Sequence, residues 1–205
     1  MFEITFRTEL TNINTNQSLI DKLWREIKTS YSKPHRHYHT LSHLDKLINE
    51  LLPVKDKIND WQTIVLSIAY HDIIYNPLKQ DNEEKSGNFA YSRLTLLNLA
   101  IRQKDKCREQ ILATKAHNIS ADSDTNYFTD ADLSILGSEY NSYRKYTDQI
   151  RNEYKFYPDF LYNPGRQRVL NHFLQMPTIF KTTYFAEKYE QQAKDNMINE
   201  LKAIA

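Results

Sequence analysis

Histidines and aspartates that could bind a metal ion stand in three separate stretches of this sequence. The first stretch holds four histidines within nine residues: His35, His37, His39 and His43. His39 and His43 are four residues apart, so at the start of a helix they would share one face. Such a pair can bind one ion together, or one can bind while the other faces a substrate. On its own the pair is more typical of a structural role than of a functional one, and His35 and His37 fit a solvated turn.

The second stretch is the dipeptide His71-Asp72, which ends an otherwise apolar run. A charged aspartate there is costly to bury unless it is paired, hydrogen-bonded or metal-bound. The third stretch is Asp130-Ala131-Asp132-Leu133. Asp130 could simply cap a short helix while Asp132 faces solvent, or a carboxylate here could bind the same ion.

Apolar residues at helical spacing indicate the elements that must position these groups. Leu19, Leu23, Ile27 and Tyr31 predict a first helix from about Ser18. The other predicted helices are one ended by Pro53, one capped by Asp60 and running to Tyr70, one after Pro77, one at about 105–117, and three at about 139–156, 165–174 and 185–204. β-branched residues before Tyr70 leave a strand open there, but the length favours a helix. We predict one all-α domain, residues 1–205, with about eight helices.

Composition excludes several classes of function. Lys plus Arg number 27 against 26 acids, so the net charge of +1 argues against binding a nucleic-acid polymer. Cys107 is the single cysteine, which excludes a thiolate cage, and three glycines are too few for a glycine-rich phosphate loop. The N-terminus lacks a signal-peptide pattern, and the apolar run Ile64–Tyr70 is too short to span a membrane. We therefore expect a cytoplasmic protein.

The order H…HD…D resembles the HD superfamily of metal-dependent phosphohydrolases, which are all-helical. His43, followed by an apolar helix, looks like the first ligand position of that family, His71-Asp72 like its namesake doublet, and Ala131-Asp132 like its final aspartate. Tyr38-His39-Thr40 is similar to a segment of cyclic nucleotide phosphodiesterases. The chain most resembles a branch of predicted metal-dependent phosphohydrolases, through the segments YHTLSHL, AYHDIIYNP, DNEEKSG, ILATKAHN, FTDADLSILG, IRNEY and NPGRQRVL.

The resemblance implies that His43, His71, Asp72 and Asp132 hold a divalent ion, which could be Mn, Mg, Fe, Ni, Co or Zn. Such an ion acidifies a water molecule and neutralises charge on a phosphate. His39 would be the proton donor, since the pKa of a histidine suits that role. Glu84 is the candidate for orienting the attacking water, and Glu83 is its alternative. Both glutamates also have a structural explanation as acids in the first turn of a helix.

For substrate binding the candidates are His117, Lys115, Arg151 and Arg166. The planar fork of arginine suits phosphate, although most helical arginines are solvated. His117 could instead be favoured by the C-terminal end of a helix dipole. The sequence also leaves open whether His117 or Asp130 joins the metal site.

The resulting expectation is an enzyme that hydrolyses a nucleotide or another small phosphorylated metabolite. Three alternatives remain: a cyclic nucleotide phosphodiesterase-like activity, a non-catalytic, metal-dependent sensor of a nucleotide or phosphate ligand, and a metal-free helical interaction protein. The sequence reads HDIIYNP where true cyclic nucleotide phosphodiesterases continue HDxxHPG, which puts cyclic nucleotides second. No membrane partner is expected, and a homo-oligomer stays open.

Overall fold

The computed structural model describes residues 1–204, and over that range the chain is all-helical, without a β-strand. Its ten α-helices are α1 (Phe2–Ile13), α2 (Gln17–Tyr31), α3 (Leu41–Leu51), α4 (Trp61–Tyr70), α5 (Asn82–Leu96), α6 (Ile101–Ala113), α7 (Ser123–Leu133), α8 (Tyr140–Glu153), α9 (Asp159–Gln175) and α10 (Thr183–Ala203). Two short 3-10 helices span Leu52–Lys57 and Ser134–Gly137. The all-α prediction is confirmed, with ten α-helices rather than about eight.

The chain divides into two compact units, Met1–Thr129 and Asp130–Ala205. The first unit contains α1 to α6 and most of α7. The second contains the end of α7, the helix Ser134–Gly137, and α8 to α10. This division into units does not test the expectation of a single domain over residues 1–205, which stays a prediction.

Helix α4 is the centre of the first unit. Every residue from 63 to 70 is buried, and α1, α3, α5 and α6 all pack against it. A helix surrounded in this way is apolar on all sides, which is why its sequence could also have been read as a strand. Asp60 caps it as predicted, because its side chain accepts a hydrogen bond from the backbone N–H of Thr63 at 3.0 Å.

A second carboxylate, that of Asp124, fixes the start of α4. Fully buried, it accepts hydrogen bonds from the backbone N–H groups of Asn59 at 2.8 Å and Asp60 at 2.9 Å. The Lys106 ammonium donates to the same carboxylate at 2.8 Å and supplies the opposite charge. A buried carboxylate is stable only with such partners, so this contact ties α7 and α6 to the first turn of α4.

The helix predicted from about Ser18 is confirmed as α2, but it is not the first helix, because the unpredicted α1 precedes it. Phe2, Phe6 and Leu10 recur every four residues and are buried. The ring of Trp24 lies 6.4 Å from that of Phe2 and 6.0 Å from that of Phe6. Three apolar residues in a short segment give a weak pattern, and the packing of α1 against α2, α3 and α4 stabilises it.

Two predicted boundaries are also wrong. Helix α9 begins at Asp159 and not near Gly165. Pro164, which suggested a later start, lies inside its second turn. Part of the predicted loop before Phe128 is helical, since α7 begins at Ser123. The Asp122 side chain caps α7 by accepting from the backbone N–H of Thr125 at 3.0 Å.

In the second unit, α10 packs against α9 and against the 3-10 helix Ser134–Gly137. The side chain of Asn196 donates to the carbonyls of Leu136 and Ser138, both at 2.8 Å. These bonds hold the end of the 3-10 helix directly against α10. Within residues 1–204, no helix combines the length and apolarity needed to cross a bilayer.

The close approach at Gly137 generates a stability prediction. A Cβ at this position would lie 2.5 Å from the Cβ and 2.6 Å from the carbonyl oxygen of Tyr189. Backbone atoms cannot move aside cheaply, so Gly137→Ala is expected to destabilise the second unit by about 1–3 kcal/mol. Urea unfolding followed by circular dichroism measures the change.

Gly165→Ala is the matched control. A Cβ there meets nothing closer than 4.0 Å, at Arg168 Nη2, and the residue lies in a helix. Alanine is favoured over glycine in a helix by roughly 0.5–1 kcal/mol, so this variant should be as stable as the wild type or more stable. Equal effects of the two substitutions would contradict the close approach.

Candidate metal centre

Nε2 of His71, at the C-terminal end of α4 in the first unit, has two ligand-type atoms close to it. The Nε2 atoms of His43 and His71 are 3.1 Å apart, and Nε2 of His71 is 3.1 Å from Oδ2 of Asp72. His43 lies in the first turn of α3, while His71 and Asp72 directly follow α4. The side chain of His71 is 1% exposed and that of Asp72 is 16% exposed, so the cluster is reachable from one side.

The orientation of His71 is set by its other ring nitrogen. Nδ1 lies 3.0 Å from the carbonyl oxygen of Ile68, a group that can only accept. Nδ1 therefore carries a proton, and in neutral His71 the lone pair of Nε2 faces His43 and Asp72. The ring of Phe128 packs edge-on at 5.8 Å between centroids and restricts rotation of the imidazole.

Asp72 is ionised in this setting. Burial acts to raise the pKa of its carboxyl, but the positive charges of His71 and His39 and a hydrogen bond from His71 outweigh burial. The pKa of Asp72 is therefore held well below its usual range. Without a proton on Nε2, the lone pair of His71 would face this carboxylate, so a cation between them, either a proton or a metal ion, makes the arrangement favourable.

His39 lies beside this cluster, in the segment before α3. Its Nε2 is 3.7 Å from Oδ2 of Asp72. The ring is packed 4.3 Å from that of Tyr75, and Tyr38 packs edge-on at 5.1 Å. Its side chain is 17% exposed, so a small molecule bound at the cluster could contact it. The structure thus brings together four of the predicted site residues.

Arg36 is a residue of this region that the sequence analysis missed. It is 5% exposed, and its guanidinium donates to the backbone carbonyls of His39, Asp72 and Ile73. Because it stands among histidines in a polar segment, the sequence favoured a solvated turn. No local sequence signal marks it, because two of its three carbonyl partners, those of Asp72 and Ile73, lie far away in the sequence. Of its two flanking histidines, His35 is exposed and His37 partly exposed.

The turn after Asp72 is held by α5. Oγ of Ser86 accepts from the backbone N–H of Ile74 at 3.1 Å and donates to its carbonyl at 3.2 Å. Glu84, in the first turn of α5, is mostly exposed, and its carboxylate lies 3.6 Å from the ammonium of Lys115. Glu83 is partly exposed in the same turn. The structure thus pairs a predicted catalytic glutamate with a predicted substrate lysine, and both roles stay predictions.

Asp130 and Asp132 belong to the second unit. Asp130 is fully buried and accepts from the backbone N–H groups of Lys181 and Thr182 at 2.8–3.0 Å, so it caps the start of α10. Burial raises the pKa of Asp130 and lowers that of Lys181, and the charge of Asp132 opposes the shift at Lys181. Asp132 therefore has a buried ammonium in its neighbourhood, and its role as a metal ligand stays a prediction.

The two predicted phosphate-binding arginines have carboxylate partners within the second unit. Arg166 forms a two-pronged ion pair with Glu200, at 2.7 Å and 3.0 Å, and is 8% exposed. Arg151 donates to Asp159 at 2.6 Å and to the carbonyls of Tyr154 and Tyr157. These contacts give both arginines a structural function, and a role in substrate binding stays a prediction.

His117 has an unusual backbone. Its φ of 52° lies in the left-handed region, and its N–H donates to the carbonyl of Ala113 at 3.0 Å, which ends α6. The side chain is nearly buried. The expectation that the helix continues to His117 is wrong, because α6 ends at Ala113 and a turn follows. The left-handed conformation is sparsely populated by residues other than glycine.

A surface groove of about 600 Å³ lies at the start of α2. It is open and polar, and it is lined by Asn16, Ser18, Leu19, Asp21, Lys22 and Arg25. None of the candidate site residues lines it. The groove holds no convergent set of metal-ligand side chains.

Comparison with family models, with curated proteins and with solved structures finds no match for this chain.

The backbone of His117 generates a stability prediction. Left-handed backbone costs an alanine about 1 kcal/mol and a glycine almost nothing. Both His117→Gly and His117→Ala remove the imidazole, so we expect the glycine variant to be more stable than the alanine variant by about 1 kcal/mol. The midpoints of urea unfolding measure the difference.

The same pair of substitutions at His172 is the control. His172 is exposed within α9, where glycine is less favourable than alanine by roughly 1 kcal/mol. The order of the two variants should therefore be reversed at this position. Finding the same order at both positions would show that the conformation at His117 does not determine the result.

Proposed function

We propose that this chain is a metal-dependent phosphohydrolase of the HD type, acting on a nucleotide or another small phosphorylated metabolite. In this proposal His43, His71, Asp72 and Asp132 hold a divalent ion, and His39 donates a proton. The proposal rests on one observation, that Nε2 of His71 lies 3.1 Å from both an imidazole nitrogen of His43 and a carboxylate oxygen of Asp72 at the end of α4.

The spacing of these atoms fits a metal ion. Ligand nitrogen and oxygen atoms lie about 2.0–2.2 Å from such ions. At tetrahedral or octahedral angles, neighbouring ligand atoms are then about 3.0–3.5 Å apart. The two distances of 3.1 Å that join His43, His71 and Asp72 fall in this range. Nitrogen and carboxylate ligands suit Mn²⁺, Fe²⁺, Co²⁺, Ni²⁺ or Zn²⁺, and Mg²⁺ is also compatible with the carboxylates.

The surroundings of His71 support the same interpretation. Histidines that bind metal ions almost always donate their second ring N–H to a carboxylate, a backbone carbonyl or water. The bond from Nδ1 of His71 to the carbonyl of Ile68 is of this kind. A proton on Nε2 of His71, in place of a metal ion, would also be compatible with the positions of His43 and Asp72. Metal analysis is therefore the deciding experiment.

Asp132 enters the proposal through the HD resemblance, which assigns it the final ligand position. It follows Phe128 by four residues in α7, the spacing at which helical side chains share a face. A second carboxylate would bring the ligand set to two neutral imidazoles and two anions. Such a set balances the charge of a divalent ion.

The roles of the chain's own residues follow from their positions. A bound divalent ion would supply Lewis acidity toward a phosphoryl oxygen and acidify water. His39 stands beside Asp72 and is partly exposed, so its imidazole can protonate the leaving oxygen of a substrate held at the cluster. Packing against Tyr75 restricts the ring of His39 and orients that proton.

The substrate class is limited by charge. A net charge of +1 does not favour a nucleic-acid polymer. Arg151, Arg166 and Lys115 have acidic partners within their own units, so the proposal assigns phosphate binding to the ion and to His39. Small phosphate esters and nucleotides fit this arrangement.

The first test removes the ligands one at a time. His71→Ala, Asp72→Ala and Asp132→Ala should each lose bound metal and hydrolytic activity together, with a decrease of at least about tenfold in metal affinity. Calorimetric titration with Mn²⁺, Co²⁺ and Zn²⁺ measures affinity, and elemental analysis measures the metal content of the purified protein. Asp130→Asn is the control, because the Asp130 carboxylate is already bonded to Lys181 and Thr182. Wild-type protein that binds none of these ions would overturn the proposal.

The second test concerns His39. His39→Ala should keep the affinity for metal while the turnover number falls by roughly 10²–10⁴-fold, as expected for loss of a general acid. Turnover is measured on nucleotides, cyclic nucleotides, sugar phosphates and nitrophenyl esters. Loss of metal in this variant would make His39 a ligand. Bound metal without turnover of any of these compounds by the wild type would instead support the sensor.

A further inference from the structure

We infer that Arg36 is a positioning residue, which fixes the separation between the proton donor His39 and the metal ligand Asp72. The inference rests on the proposed function for its catalytic meaning. The structural part of the inference, that Arg36 joins two segments of the site, depends only on contacts within the first unit.

The guanidinium of Arg36 joins two segments that are far apart in the sequence. Nη1 donates to the carbonyl of His39 at 3.1 Å. Nη2 donates to the carbonyl of Asp72 at 2.7 Å and to that of Ile73 at 3.1 Å. One rigid planar group therefore sets the distance between the backbone of the segment before α3 and the backbone of the turn after α4.

The two tyrosines that flank Arg36 extend this connection to the side chains. The guanidinium carbon lies 4.7 Å from the ring centre of Tyr31 and 5.5 Å from that of Tyr75. The hydroxyl of Tyr31 accepts from the backbone N–H of Asp72 at 3.2 Å, and the ring of Tyr75 packs against His39. Each ring thus contacts Arg36 and one residue of the proposed site.

Stability alone does not explain a buried arginine here. Arg36 is 5% exposed and forms no ion pair with any residue in the range 1–204. Its charge is compensated by carbonyl dipoles and aromatic faces, although burying a charge without a counter-charge is costly. The planar guanidinium donates to several carbonyls in fixed directions and so fixes their relative positions. The ammonium of lysine is a point charge and cannot do the same.

The test compares Arg36→Lys and Arg36→Ala with the wild type, each loaded with Co²⁺ and normalised to bound metal. We expect the turnover number to fall by roughly 10–100-fold, while the Michaelis constant and the Co²⁺ affinity change much less, because Arg36 donates to backbone carbonyls and not to the proposed ligand atoms. Added guanidinium ion should restore part of the turnover of Arg36→Ala in a saturable manner, and have no such effect on the wild type.

Arg93 provides the matched control. It also packs on an aromatic ring, 4.0 Å from the centre of Phe89, and forms an ion pair with Glu26, but it makes no contact with the site residues. Arg93→Ala should keep its turnover number and show no rescue by guanidinium. If Arg36→Ala fails to fold, Arg36→Lys decides by the same criteria. Turnover within twofold of the wild type would overturn the inference.

A readout without metal separates this inference from the proposed function. Ring signals of His39 and His172 are followed by NMR in the metal-free protein. Arg36→Lys should shift or broaden the signal of His39 and leave that of His172, an exposed residue of α9, unchanged. If the wild type binds no metal, the proposed function fails, while a displaced His39 signal still supports the positioning role. An unchanged His39 signal contradicts it.

Discussion

The charge of Asp72 is the constraint on which the rest of this structure depends. A carboxylate that is ionised and mostly removed from water needs positive charge close by. Two imidazoles supply or share that charge, and one of them, His71, has its proton on Nδ1 committed to a backbone carbonyl. What lies between Nε2 of His71 and the Asp72 carboxylate must therefore be a cation. A proton or a divalent ion meets this requirement, and the proposed metal site is one of these two possibilities.

The residues of the cluster differ in how they are held. His43 and His71 stand on or at the end of packed helices, whose positions are fixed by burial around α4. His39 precedes α3 in a non-helical segment, and its position depends on aromatic packing and on a shared arginine. Side chains on helices are held more precisely than side chains on loops, so the proposed ligands His43 and His71 have firmer support than the proposed proton donor His39.

The helical character of the chain and the neighbourhood of His39, His43, His71 and Asp72 could be predicted from the sequence. Periodic apolar residues gave α2, α3 and α4, and the cap at Asp60 was predicted correctly. Pro164 and Gly165 misled the prediction of α9, because proline is tolerated early in a helix when packing stabilises the rest. Arg36 could not be found by composition or spacing. Its burial depends on three carbonyls contributed by folded segments, and no local pattern encodes such a contact.

The length of helix α4 determines where His71 lies and how its side chain is directed. Its first turn is tied to the Asp124 carboxylate through the backbone of Asn59 and Asp60, and its last residues lead into the turn bound by Arg36 and Tyr31. These hydrogen bonds hold both ends of α4 in place along the helix axis. One residue added or removed between them would rotate the imidazole of His71 about the axis by about 100°, away from His43. The ten-residue length of α4 is therefore as much a part of the site as the side chains, and length variation in this chain belongs in its exposed turns.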